Sequence, residues 1–191
     1  MPRRSVTVRV AATLAALALG AGLAACADTT RIPPAPTDTG AAEPLFASDE
    51  EALAAAVAAY EEFLAVSDEM LAAPGANEAD PESVAGGDAL VAIQEAEAEF
   101  QAEGIRVVGA REIANFVIQE LPRPGNNSFG VFYVCEDVAG TDLVDAGGNS
   151  LIDGERESTL TAWEVVLEIG EDGNFARVIE RDFWQGAGIC P

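Results

Sequence analysis

The chain has 191 residues, of which 33 are Asp or Glu and 10 are Arg; it has no Lys and no His, and its formal net charge is −23. A surface this acidic has no basic face for phosphates, which argues against nucleic-acid binding, and without His there is no imidazole triad and no His-ligated zinc. Hydrophobic residues make up 49% and charged residues 23%, the balance of one globular domain rather than a disordered acidic tail.

Arg3, Arg4 and Arg9 lead into an unbroken apolar or small run from Val10 to Leu23. That run is short for a membrane span and suits the hydrophobic region of an export signal. It closes on Leu23-Ala24-Ala25-Cys26, which resembles the lipobox of bacterial lipoproteins. The resemblance implies that residues 1–25 are a signal peptide cleaved before Cys26, and that the Cys26 thiol carries a diacylglyceryl group with palmitate-like chains. Two acyl chains hold a protein on a bilayer stably where one does not. The domain is then expected on the extracytoplasmic face of the cell membrane. Arg without Lys, together with abundant Ala, suggests a GC-rich genome and an actinobacterial envelope.

Residues 26–47 read as the lipidated Cys and a tether. Pro33, Pro34, Pro36 and Pro44 deny it a helix, and Thr29, Thr30, Thr37 and Thr39 deny it a core. A single globular domain is expected over 48–191. Ser48 and Glu51 form a capping box, with Asp49 and Glu50 at the positive end of the helix dipole. Leu53, Val57, Tyr60, Leu64 and Leu71 recur at helical spacing, Ala56, Phe63 and Met70 widen the stripe, and Pro74-Gly75 stops the helix. Asp80-Pro81-Glu82 opens a short helix broken at Gly86-Gly87. Asp88 then caps a second long helix, with Leu90, Ile93, Ala96 and Phe100 on one face and Gly104 as its terminator. Glu95, Glu99 and Glu103 stack four apart, a column of like charges best left in water.

From Ile105 the hydrophobic period becomes two. Residues 105–121 read as one long strand, bulged near Gly109, and 122–127 as a turn. The next strand spans 128–138, with Phe129, Val131, Tyr133 and Cys135 on one face and Phe132 and Val134 on the other. Residues 160–169 form a third, with Trp163, Val165, Leu167 and Ile169 inward, and Asp172-Gly173 turns it into a fourth over 175–184. Helices followed by a meander of strands predict an α+β domain, its N-terminal helices packed on a curved four-stranded antiparallel sheet. This order, the length and the long first strand resemble the cone-shaped nuclear transport factor 2-like fold, and the small actinobacterial lipoproteins that carry it. A cystatin-like sheet gripping one helix is the alternative.

Once Cys26 is acylated, Cys135 and Cys190 remain in an oxidising compartment, where a disulfide is the economical reading. A metal pair would lack other soft ligands, and a nucleophile would lack His. The acidic loop 142–157 offers oxygen groups at Asp142, Asp145, Asn149, Asp153, Glu155 and Glu157, but departs from the calcium-loop pattern at Gly147, Ser150 and Arg156. No metal or cofactor is expected. Cone-shaped domains often hold a pocket between sheet and helices, and Tyr133, Trp163, Glu180 and Asp182 are the strand residues that could face it. A carboxylate there could act as a base, or Glu180 and Asp182 could pair with Arg177, Arg181 or Arg111 across strands. The leading expectation is a non-catalytic binding or scaffold module on the membrane. Its partner would be an envelope protein, a small apolar ligand or a second copy of the chain. An isomerase- or cyclase-like enzyme using a pocket carboxylate is the alternative, and an accessory substrate-binding lipoprotein of a transporter is a third reading.

Overall fold

Ser48 starts the first helix as its spacing predicts. In a computed structural model, which describes residues 44–123 and 128–191, its backbone is extended and its hydroxyl accepts from the Glu51 amide at 3.2 Å. The Glu51 carboxylate reaches back to the Ala47 amide at 2.8 Å, one residue upstream of the usual capping box. Ser48→Ala is expected to cost about 1 kcal/mol, read as a lower urea midpoint at unchanged slope. The leader, Cys26, the tether up to residue 43 and residues 124–127 of the turn lie outside the described residues.

Helix α1 spans Asp49–Ala72. Its buried face is Ala52, Ala56, Ala59, Tyr60, Phe63, Leu64, Ser67 and Met70, whereas Leu53, Val57 and Leu71 are only half-buried. The expected stripe is therefore rotated. Small side chains let the helix lie close on its neighbours, which pushes the longer aliphatic ones to the margin. A single 3-10 turn, Pro81–Ser83, follows. Ala85 then makes one parallel bridge to Val178, with Gly86 N donating to Val178 O at 2.9 Å, so this segment covers part of a sheet edge. Helix α2 spans Gly87–Glu103; Gly86 is its N-cap and Asp88 sits in its first turn. Gly104 ends it in the left-handed conformation at φ 68°. Glu95, Glu99 and Glu103 are exposed.

The long strand expected over 105–121 is two strands in different sheets. β1 (Arg106–Val108) pairs antiparallel with β4 (Asp142–Val144), a strand inside the acidic loop. β2 (Glu112–Glu120) belongs to the main sheet. Gly109 separates them because the chain turns there at φ +94°, and a Cβ would fall 2.0 Å from the Gly140 carbonyl oxygen.

The main sheet runs β2, β3 (Phe129–Asp137), β5 (Leu160–Ile169), β6 (Phe175–Phe183), all antiparallel and in chain order. The domain is thus α+β, as expected. Register shifts in β2 and between β5 and β6 mark bulges, which twist and bend the strands that carry them. One cross-strand row is Ile118, Phe132, Val165 and Arg181, and the neighbouring row is Phe116, Val134, Trp163 and Phe183. Both belong to the face under the helices. Phe132 is fully buried there, its ring 5.3 Å from Phe116 and 5.2 Å from Phe175, and Tyr60 packs edge-on to Phe116 at 5.8 Å. These rings fill the space between α1 and the sheet around Tyr60.

On the other face, Cys135 and Cys190 form a disulfide with Cα atoms 5.2 Å apart. Asn115 Nδ2 donates to the Ile189 carbonyl at 2.8 Å, and the Trp184 ring lies 4.4 Å from Tyr133. The tail after β6 is tied down by these contacts. Among the described residues no helix is long and apolar enough to cross a membrane.

Candidate functional site

Strand periodicity puts residue 136 on the same face as Phe132 and Val134, so β3 delivers an acid, Glu136, into the core. It is 2% exposed. A lone carboxylate there would be prohibitively costly, so donors must surround it. Arg181 on β6 supplies most of them: its Nη2 lies 2.8 Å from both Glu136 oxygens, and its Nε 3.2 Å from Oε1. The Tyr60 hydroxyl from α1 donates to the same Oε1 and accepts from Arg181 Nε at 2.9 Å. Arg111, just ahead of β2, sets its Nη1 3.7 Å from Oε2. Arg111 is itself held by Asp68 of α1, through Nε at 2.7 Å and its backbone N–H at 3.0 Å. Two guanidiniums and two carboxylates balance in charge, and Arg181 also lies 3.4 Å over the Trp163 ring centroid.

Burial pushes the Tyr60 phenol well above its ordinary 10.0; the Arg181 charge works against that, and Glu136 adds to it. Tyr60 is therefore a fixed donor. The unfolded phenol ionises near 10, so the stability it contributes is complete below that pH and falls as pH rises toward the folded value. Denaturant midpoints should decline above about pH 10 and decline less in Tyr60→Phe. An unchanged slope in that variant would contradict this assignment.

Above the network, between α1 and α2, is a crevice of about 140 Å³. Its sides are carbon from Phe63, Leu71, Ala89 and Ile93, and Arg111 and Arg181 form its polar floor. The third polar residue, Ser67, gives its hydroxyl proton to the Phe63 carbonyl at 2.6 Å.

The four residues expected to share a pocket are not brought together. Trp163 is on the helix side, half-buried under Arg181 and edge-on to Phe183 at 6.0 Å. Tyr133 and Asp182 lie in a row with Glu164 on the opposite face, with Glu180 one row along opposite Val166. Glu180 and Asp182 are exposed. The arginines expected to pair with them are committed elsewhere: Arg177 to Glu168, Arg181 to Glu136, Arg111 to Asp68. Inward and outward positions on β6 are displaced by its irregular register against β5, which a period-two reading cannot foresee.

The acidic loop folds on itself. Asp145 accepts from the amides of Gly147 at 2.8 Å and Asn149 at 2.9 Å and from the Asn149 side chain, which holds its carboxyl below the usual range. Asp142 accepts from the Ser150 hydroxyl at 2.8 Å, and Arg156 donates to the Thr141 carbonyl at 2.6 Å. Among the described residues no three Asp, Glu or Cys side chains cluster as a metal site.

No family model and no curated protein matches the chain. Among solved structures it is similar to the intermembrane space region of chloroplast protein ARC6, with a TM-score of 0.48 and 12% identity, over 69% of this chain and 95% of that one.

Glu136, Tyr60 and Asp68 were not among the expected site residues. The signal for Glu136 was present: Phe132, Val134 and Glu136 alternate in one phase, so an inward β3 required an inward acid. Asp68 carried no such mark, since it falls beside the apolar stripe of α1 like any solvated carboxylate.

Proposed function

We propose that the chain is a lipid-anchored, extracytoplasmic binding module, with a nuclear transport factor 2-like domain carried on a Pro- and Thr-rich tether and no catalysis of its own. The observation that carries the non-catalytic part is the state of Glu136. It is the buried acid among the described residues, and both its oxygens already accept from Arg181, with Tyr60 and Arg111 beside them. A general base needs a lone pair within reach of a substrate proton, and this carboxylate is 2% exposed and ion-paired to Arg181 through both oxygens, out of a substrate's reach. Glu180 and Asp182, the other candidates, stand in water on the far face. Export is supported by the lipobox-like Cys26 and by the Cys135–Cys190 bond, which belongs to an oxidising compartment.

The anchor is tested by detergent phase partition. The wild-type chain is expected in the detergent phase and Cys26→Ala in the aqueous phase or as an uncleaved precursor. Equal partition of the two would remove the anchor.

A further inference from the structure

We propose that the crevice between α1 and α2 binds a small neutral molecule with a ring-sized apolar body and one hydrogen-bond-accepting oxygen, a cyclic ketone in its simplest form. The inference rests on the binding-module reading and gives that reading a ligand class. Size comes first. At about 140 Å³ the crevice is close to the ~150 Å³ of an apolar cavity that takes up benzene. Its sides are mainly carbon, Phe63 and Leu71 from α1 and Ala89 and Ile93 from α2, and the Ser67 hydroxyl proton among them is committed to the Phe63 carbonyl.

The polar floor sets the ligand's chemistry. Guanidinium groups donate and cannot accept, so Arg111 and Arg181 select for an acceptor. Arg111 holds a donor in reserve: its Nε is taken by Asp68 and its Nη1 faces Glu136, while Nη2 is buried with no hydrogen-bond partner among the described residues. That donor is closed to a water-sized probe, so a ligand oxygen reaches it by a small shift of the Arg111 side chain, which relieves the cost of the orphaned group.

Charge then separates a neutral oxygen from a carboxylate. The two guanidiniums already face Asp68 and Glu136, so the floor has no net positive charge left for an anion. The chain around it has a net charge of −23, and a third carboxylate brought beside the first two would be repelled at low dielectric. A ketone, cyclic ether or lactone carries the acceptor without that penalty.

The test is saturation-transfer NMR on the full chain with three probes of one ring size: cyclohexanone, cyclohexane and cyclohexanecarboxylate. Cyclohexanone should bind with a dissociation constant on the order of 1 mM. Cyclohexane, which lacks the acceptor, should bind about 3- to 10-fold more weakly, and the carboxylate more weakly than the ketone. Ala96 also lines the crevice from α2, and Ala96→Leu, which fills it and touches no ion pair, should abolish the ketone signal while the cooperative unfolding transition is kept. No signal from cyclohexanone, equal binding of cyclohexane, tighter binding of the carboxylate, or full binding by Ala96→Leu would each overturn the assignment. A null result leaves the tethered-module reading standing. Crevice-dependent binding in which the ketone is chemically converted would instead uphold the site and overturn the non-catalytic reading.

Discussion

Arg181→Ala is expected to destabilise the domain by about 3–5 kcal/mol, measured as the free energy of urea unfolding. The reason is what it leaves behind. Glu136 would remain 2% exposed in the core, without the guanidinium that meets both its oxygens at 2.8 Å. Tyr60 can neutralise little of that charge, and the Arg111 Nη1 at 3.7 Å is beyond hydrogen-bond distance. For comparison, Tyr60→Phe removes one donor and leaves the ion pair, so about 1–2 kcal/mol is expected. Removing both charges separates the burial penalty from the strength of the pair. A Glu136→Leu/Arg181→Leu double variant should recover much of the single-variant loss, because an apolar pair of similar bulk carries no desolvation cost. If Arg181→Ala lost less than about 1 kcal/mol, Glu136 would have to be solvated, and the closed network described above would be wrong.

Cys190→Ser is expected to cost about 4 kcal/mol on the loop-entropy account, since the bond joins residues separated by 55 positions. Its structural effect should be local. The tail loses its covalent tie at Cys190, retaining the Asn115 bond to Ile189 and the Trp184–Tyr133 contact. Trp184 fluorescence should therefore change on mutation, while the helical and sheet signals in circular dichroism persist at room temperature. Against a total stability of roughly 5–15 kcal/mol, either this variant or Arg181→Ala removes a large share. A Cys190→Ser protein as stable as the parent would mean that the bond is absent in solution.

Local chemistry made most of the elements legible. The Ser48 cap, the Gly104 stop, the inward Val165 and Leu167, and the Asp172-Gly173 turn each follow from one residue's own conformational preference or from strict alternation. What stayed hidden depends on partners distant in sequence. Gly109 reads as a bulge until Gly140 is known to pass beside it. β4 is three residues within a Gly- and Asp-rich loop, and exists as a strand because β1 is there to pair with it. The buried face of α1 follows its alanines because close approach to its neighbours outweighs the size of Leu53 and Val57. The site was legible in part: the disulfide from cysteine arithmetic, Trp163 from strand phase. Its centre was not, because Glu136, Arg181, Tyr60 and Asp68 come from three elements and their meeting is a property of the packed fold.

Intact-mass analysis of the chain recovered from whole cells tests the account most directly. The predicted species begins at Cys26, carries the mass of a diacylglyceryl group, and takes up no alkylating reagent at Cys135 or Cys190 until it is reduced. A full-length, unacylated chain with both thiols alkylated without reduction would contradict it.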